Sequence, residues 1–316
     1  MLSIIIPVYN EQDSLQILFD KLTAVLRRIG RPFEIIAVND GSRDSSMERL
    51  REITNATPEL KVINFKRNYG QTAAIMAGID HANGDVLIAI DADLQNDPED
   101  IPALVDKLEQ GFDVVSGWRK DRQDHAIRRN FVSHVANRLI SWISGVQLND
   151  YGCTLKAYRR DVIKDVRLYG EMHRFIPIYA AWQGARVTEI PVRHHPRAHG
   201  TSNYGLERVI KVVLDLIFVK FMDSYLTKPI YVFGGVGAAS ILLSFLVMFY
   251  VICAKLFAGI SMIQTPLPLF SVMLFVTGVI TILMGILAEM IVRIYFESQK
   301  RDIYSIRETI NISGRS

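Results

Sequence analysis

Two carboxylates one residue apart, Asp91 and Asp93, follow directly on the apolar run Val86-Leu87-Ile88-Ala89-Ile90. Such a run reads as a buried parallel strand, and carboxylates at its end place hard oxygen ligands at the sheet edge where open α/β folds bind their ligands. The chemistry this suits is a divalent cation carrying phosphates. A third carboxylate, Asp40, lies in Val38-Asn39-Asp40-Gly41-Ser42 after another apolar run. In a glycine turn it can accept hydrogen bonds from a base or a ribose. Leu2 to Val8 closes in a similar way on Tyr9-Asn10-Glu11, and Asp150-Tyr151-Gly152-Cys153 leads into a further short strand. His194, His195 and His199 have no acidic or cysteine partner at ligand spacing, so zinc is not expected. The acidic stretch Asn96-Asp97-Pro98-Glu99 reads in part as a helix N-terminus.

The elements that must position these residues alternate regularly. Leu2–Val8, Phe33–Val38, Lys61–Phe65, Val86–Ile90 and Val114–Ser116 read as strands. Ser14–Ile29, Ser45–Asn55, Gln71–His81 and Ile101–Gln110 read as the helices between them. This alternation predicts an α/β fold with a mainly parallel sheet and ligands gathered at the carboxyl ends of its strands. A basic helix-like stretch, Ile127–Ile143, and shorter strands near Gly152–Tyr158 and Arg186–Val192 complete a domain expected over residues 1–204.

The remainder is of a different composition. Residues 205–228 read as an amphipathic segment, expected to lie in a membrane interface. Ile230 to Ala254 and Leu256 to Ala288 carry no charge, and about 20 apolar residues suffice to cross a bilayer as a helix. Two transmembrane helices are therefore expected over 229–293, with 294–316 as a tail. Lys220 and Lys228 precede the spans and Arg293, Lys300, Arg301, Arg307 and Arg315 follow them, while Lys255 alone lies between. The positive-inside rule then puts the N-terminal domain and both termini in the cytoplasm of a multi-pass plasma-membrane protein. Glu289 at the end of the second span reads as a partner of Arg293 one turn on.

The start at Leu2–Val8 lacks the features of a signal peptide. Cys153 and Cys253 are expected as free thiols in a reducing compartment. A net charge of +3 without a basic, aromatic-interleaved run argues against nucleic acid as a partner.

Taken together, Pro7-Val8-Tyr9-Asn10-Glu11, Asn39-Asp40-Gly41-Ser42, Asp91-Ala92-Asp93-Leu94-Gln95 and the paired spans resemble the family 2 glycosyltransferases of the Rossmann-like GT-A fold. The resemblance is closest to the polyprenyl-phosphate glycosyltransferases: bactoprenol glucosyltransferases, dolichyl-phosphate mannose synthases and undecaprenyl-phosphate formamido-arabinose transferases. Arg67-Asn68-Tyr69-Gly70-Gln71, Asp150-Tyr151-Gly152-Cys153 and Ala157-Tyr158-Arg159-Arg160 look most like the last group. The resemblance implies inverting transfer of a sugar from a nucleoside-diphosphate donor, UDP foremost, to undecaprenyl or another polyprenyl phosphate, in the service of cell-envelope glycan or lipopolysaccharide modification. It implies that Pro7, Tyr9, Glu11 and Asp40 line the nucleotide pocket, and that Asp91, Asp93 and Gln95 hold Mg or Mn. Asp150 matches a position proposed as catalytic base in the family. Some relatives assemble as tetramers, which makes a homo-oligomer an expectation of the same kind.

The implied acceptor changes what the site must supply. A phosphate monoester is mostly ionised near neutral pH, its second pKa being about 6, so a strong base is less necessary and orienting a substrate is the other role open to Asp150. Bringing one anion up to another requires cations, and Arg119, Arg128, Arg129, Lys156 and Arg197, with Ser202, are the candidate phosphate-binding residues. Asn203 stands where many relatives carry Lys or His.

The competing readings fit less well. A different lipid or glycan acceptor for a membrane-bound family 2 enzyme is the nearest alternative. A processive polysaccharide synthase needs more spans and a further Gln-x-x-Arg-Trp motif. A transporter lacks an intramembrane charged path, a nicotinamide enzyme lacks the glycine fingerprint after the first strand, and a decayed scaffold would not keep every acidic motif position filled.

Overall fold

The computed structural model describes residues 1–120, 140–141, 144–164, 172–196, 229–259, 261, 263, 265–298 and 304–312. Two compact units emerge, one formed by residues 1–217 with 302–316 and the other by 218–301. The expected interfacial segment 205–228 lies outside the described residues, as do Arg128, Arg129, Arg197, His199 and Ser202.

In the first unit the chain runs β1 (Leu2–Val8), α1 (Leu15–Ile29), β2 (Phe33–Asn39), α2 (Ser46–Ala56), β3 (Leu60–Phe65), α3 (Gln71–His81), β4 (Val86–Ala89), α4 (Ile101–Glu109) and β5 (Val114–Trp118). It continues through β6 (Lys156–Arg159), α5 (Arg160–Ile163), α6 (Ile176–Trp182) and β7 (Val187–Pro191). The strands form one sheet in the order β7-β5-β6-β4-β1-β2-β3, with β8 (Ile306–Ile310) completing it beyond β3. Pairings among β1, β2, β3 and β4 are parallel, whereas β6 runs antiparallel between β4 and β5.

Side-chain alternation explains why both faces are covered. Leu2, Ile4, Ile6 and Val8 of β1 join one core with Leu15, Leu18, Phe19, Leu22, Val25 and Leu26 of α1 and Leu104, Val105 and Leu108 of α4. The α1 set recurs at three- and four-residue spacing, the stripe a helix needs to bury itself on a sheet. Ile5 points to the opposite face, where α3 packs on β1 and β2. Parallel strands buried on both sides are accordingly almost continuous apolar runs.

One expectation needs correction here. Residues 294–316 read as a tail, yet Ile306–Ile310 pairs antiparallel with β3, Val62 opposite Ile310 and Asn64 opposite Glu308. The strand alternates half-buried and exposed positions, as an edge strand does. The physical reason for the difference is that β3 would otherwise present an unpaired edge.

The second unit holds α7 (Pro229–Ala258) and α8 (Leu267–Ser298), packed on one another. Each is long and apolar enough to cross a membrane, over Phe233–Phe257 and Leu267–Ala288, with a mean hydropathy of 2.4 in both. Twenty-five residues span about 37 Å as a helix, more than the ~30 Å hydrocarbon core. Lys255 falls in the last turn of α7 rather than in the connecting loop. The helices approach closely at Gly237 and Gly278, where a Cβ on either would lie within 2.7 Å of the other's carbonyl oxygen. Ser244 and Ser271 exchange hydrogen bonds across the pair, each hydroxyl donating to the other's backbone carbonyl at 2.8 and 2.9 Å. Small residues and reciprocal hydroxyl bonds are how apolar helices associate without help from water.

Candidate active site

The strand ends named by the sequence meet in one cleft. Its walls include Pro7, Val8, Tyr9 and Glu11 after β1, Asp40 after β2, Asn68, Gly70 and Gln71 before and at the start of α3, and Asp91, Asp93 and Gln95 after β4. Arg119 after β5 and Gly152, Thr154, His173 and Arg174 close the other side, around a volume of about 340 Å³. Because β6 is antiparallel, the loop preceding it reaches this same edge.

Asp40 is 3 % exposed and accepts backbone N–H bonds from Tyr69 at 2.6 Å and Gly70 at 2.9 Å. Burial raises its pKa and the two N–H donors oppose that rise. Its neighbour Gly41 adopts φ +66°, and a Cβ there would stand 2.5 Å from the Arg67 carbonyl carbon and 2.6 Å from the Asn68 nitrogen. The loop 67–70 thus lies flush on the Asn39–Ser42 turn. Gly41→Ala should lower stability by about 2 kcal/mol, read from a denaturant midpoint. The β1 and β2 turns are also tied together, Asn10 N–H donating to Ser42 Oγ at 3.0 Å and Arg43 N–H to Asn10 Oδ1 at 2.8 Å. Glu11 is fixed by the Ser14 hydroxyl.

Asp91 and Asp93 are the pair that could hold a cation. Burial and then the charge of Asp93 push the Asp91 pKa well above the ordinary carboxylate range, with Thr154, Arg119 and Lys156 acting against the rise. A carboxylate whose proton affinity is raised by a neighbouring carboxylate is one that a bound cation would relieve. The Gln71 side chain donates to Asp91 Oδ1 at 2.7 Å, and Asp93 Oδ1 accepts the Gln95 N–H at 3.1 Å. Leu94 between them sits at φ +63°, a left-handed conformation uncommon for leucine, so the turn is held by its surroundings. Among the described residues no three His, Cys, Asp or Glu side chains gather as a metal site. A cation here would take further oxygens from Gln95, water or a phosphate-bearing ligand. The acidic stretch that follows is structural: Asp97 accepts the Glu99 N–H, and Asp100 binds Arg193. His195 donates its backbone N–H to the Gln95 carbonyl and its ring meets Asp97, so it braces this turn.

Asp150 does not have the environment of a base. Its two oxygens take the Arg119 guanidinium at 2.7 and 2.9 Å, and the Gly152 N–H reaches Oδ1 at 3.0 Å. Burial would raise its pKa, but the Arg119 hydrogen bonds and charge prevail and bring it down to about 2. It is buried behind Arg119, whose side chain lines the cleft. Lys156 is also displaced from the expected role. At 2 % exposure it turns beneath the 150–154 loop, its ammonium donating to the Tyr151 carbonyl at 3.2 Å and to the Cys153 carbonyl. Burial lowers its pKa to about 8. The same burial pushes the Cys153 thiol up to about 11, which makes it a packing residue.

Sequence reasoning missed Gln71, Thr154, His173 and Arg174. Gln71 follows the glycine that opens α3, and Thr154 follows the Asp150–Cys153 motif, so proximity to a strand end was a usable signal for both. His173 and Arg174 carry no such mark. The His173 ring shares a hydrogen bond with the Thr72 hydroxyl at 2.7 Å, which attaches this segment to α3.

The fold is of a known kind. Glucosyl-3-phosphoglycerate synthase from Mycobacterium tuberculosis, solved with Mn2+, UDP and glucosyl-3-phosphoglycerate, superimposes with a TM-score of 0.52 at 17% identity, over 71% of this chain and 79% of that one. A mainly parallel sheet with a carboxylate-lined cleft at its carboxyl edge is the arrangement of the GT-A fold. The chain belongs to glycosyl transferase family 2, whose model matches residues 3–167. A dodecaprenyl-phosphate galacturonate synthase of Rhizobium johnstonii is 40% identical over 97% of this chain and 92% of the relative. An undecaprenyl-phosphate 4-deoxy-4-formamido-L-arabinose transferase of Edwardsiella ictaluri is 41% identical over 98% of this chain and 94% of the relative.

Proposed function

We propose that this glycosyltransferase moves a sugar from a UDP donor onto the phosphate of a polyprenyl carrier, undecaprenyl phosphate foremost, at the cytoplasmic face of the membrane. The observation that carries the reading is the convergence of Asp40, Asp91, Asp93 and Arg119 on one cleft, in a chain whose named polyprenyl-phosphate relatives match nearly its full length. Support for the membrane comes from the two apolar helices. The orientation rests on the basic residues flanking them.

Asp40, Pro7, Tyr9 and Glu11 would receive the nucleoside, and Asp91 and Asp93, with Gln95, would hold Mg or Mn against the diphosphate. When bound, the cation neutralises charge that builds on the departing diphosphate. The acceptor phosphate oxygen attacks the anomeric carbon as the bond from that carbon to the diphosphate oxygen breaks, and the electron pair leaves on UDP. A single in-line displacement inverts the anomeric configuration. The acceptor is already ionised, so no side chain need remove a proton, which agrees with the pairing of Asp150 to Arg119. Arg119 offers its guanidinium to phosphate oxygens, held in aim by Asp150. The relatives' names make galacturonate and 4-deoxy-4-formamido-L-arabinose the first donor sugars to test.

UDP release should require a polyprenyl phosphate, with the corresponding polyprenol unable to replace it. A coupled assay of free UDP with each lipid checks this, and equal release with the alcohol would reject a phosphate acceptor.

A further inference from the structure

We propose that the C-terminal strand β8 and the two residues before it belong to the donor-binding apparatus, with Tyr304, Ser305 and Glu308 as positioning residues for Asp40 and the 67–70 wall. The proposal rests on the reading of Asp40 as a nucleotide contact. Two separate lines of contact lead from this strand to that residue.

The first line runs through rings. Tyr304 stacks on Phe65 at the end of β3, with centroids 5.1 Å apart and planes 18° from parallel, and Phe65 meets Tyr69 edge-on at 5.5 Å. Tyr304 is itself fixed by a hydroxyl bond to Asp80 at 3.0 Å. The Ser305 carbonyl accepts the Lys66 N–H at 3.0 Å. Arg307 closes over the Lys66 carbonyl at 3.2 Å. Residues 66–69 are thereby held on one side by the C-terminal segment and on the other by Gly41. The backbone N–H groups of Tyr69 and Gly70 are the ones that grip both oxygens of Asp40.

The second line runs through amides. Glu308 accepts from the Asn64 side chain at 2.8 Å, Asn64 Oδ1 accepts from Asn39 at 2.9 Å, and Asn39 Oδ1 accepts the Ser42 N–H at 3.3 Å. Asn39 and Asn64 are buried, so this chain of side chains fixes the turn that carries Asp40 from beneath. Arg51 holds the outer side of Glu308 with two bonds of 2.6 Å. Nothing in Tyr304, Ser305 or Glu308 lines the cleft itself. Their effect must pass through Asp40 and the loop.

The strand is therefore more than an edge cover. It is also the piece of chain that follows the second apolar helix, so the residues that brace the donor pocket of this enzyme include some beyond the membrane-type segment.

The test uses the full chain in detergent or nanodiscs, with UDP binding measured by calorimetry in the presence of Mn2+ and donor KM and kcat measured on the same samples. Glu308→Ala and Tyr304→Ala should each raise the UDP Kd and the donor KM about tenfold with kcat and acceptor KM little changed. Glu308→Gln, which keeps the acceptor for Asn64, should restore the wild-type Kd, and Tyr304→Phe should stay within about threefold of it, since the stack is kept. Wild-type UDP affinity in both alanine variants would overturn the proposal, as would a loss of kcat and acceptor binding equal to the loss of donor binding. If Tyr304→Ala does not fold, the Glu308 pair decides alone. If the wild-type protein itself binds no UDP, it is the reading of the pocket as a nucleotide site that fails.

Discussion

Asp93→Asn is expected to lower kcat by about a thousandfold, the scale of losing one preorganised charge contact to a transition state, while the thermal midpoint stays close to that of the native chain. The substitution keeps the shape of the side chain and an oxygen that can still accept the Gln95 N–H. What it removes is a negative charge from a pair in which Asp91 is already pushed towards protonation by burial and by Asp93. Asp91 in the variant should therefore ionise more easily, and the folded protein without cation should be no less stable than before. The sign follows from linkage: a carboxyl whose folded pKa is raised disfavours the folded state above its ordinary pKa, and easing that rise favours it. Loss of turnover without loss of stability separates a cation site from an acidic turn that only supports the fold. Unchanged turnover would remove the cation assignment from these residues.

Arg119→Ala and Asp150→Ala are each expected to cost about a hundredfold in kcat/KM, and the double substitution should cost hardly more than either alone. Two residues acting as one bidentate unit behave in this way, since Asp150 has value through the guanidinium it holds. The side chains are 12% and 11% exposed, so removing one partner leaves a buried charge and should also destabilise the fold by about 3 kcal/mol. The pH dependence provides a second readout. With its pKa depressed to about 2, Asp150 contributes stability that is fully present above its unfolded pKa of about 4 and is lost as pH falls through the folded value. Activity should show no ionisation of Asp150 between pH 5 and 8, where a working base would titrate. A base at this position would instead give an Asp150 variant far more damaged than the Arg119 variant, together with an acid limb that the Asp150 substitution abolishes.

The legible part of the site was the part attached to strand ends. Asp40, Asp91 and Asp93 each follow a continuous apolar run, and a parallel sheet gives such positions a common edge. Pro7, Tyr9 and Glu11 follow for the same reason. Lys156 was misread because the sequence around β6 does not reveal its direction. Lys156 is the first residue of an antiparallel strand, and its ammonium lies under the loop that precedes it. Asp150 was found as important but not as a partner of Arg119, because the two are distant in sequence and meet only when β5 and the loop before β6 reach the same edge. His173 and Arg174 enter the cleft from a segment with no motif to mark it. The largest miss is β8: the five residues Ile306–Ile310 alternate only weakly, and their place beside β3 depends on an open edge created elsewhere in the chain. Local pattern identifies elements, whereas partners across the sheet are settled by the whole fold.

Incubation of the purified full-length protein with undecaprenyl phosphate, a divalent cation and a panel of UDP-sugars, followed by mass spectrometry of the lipid fraction, tests the central claim most directly. The account predicts a lipid carrying one added sugar on its phosphate, formed with a subset of the donors and absent when the cation is chelated. Transfer of sugar to a different acceptor, with the lipid phosphate left unmodified by every donor, would contradict it.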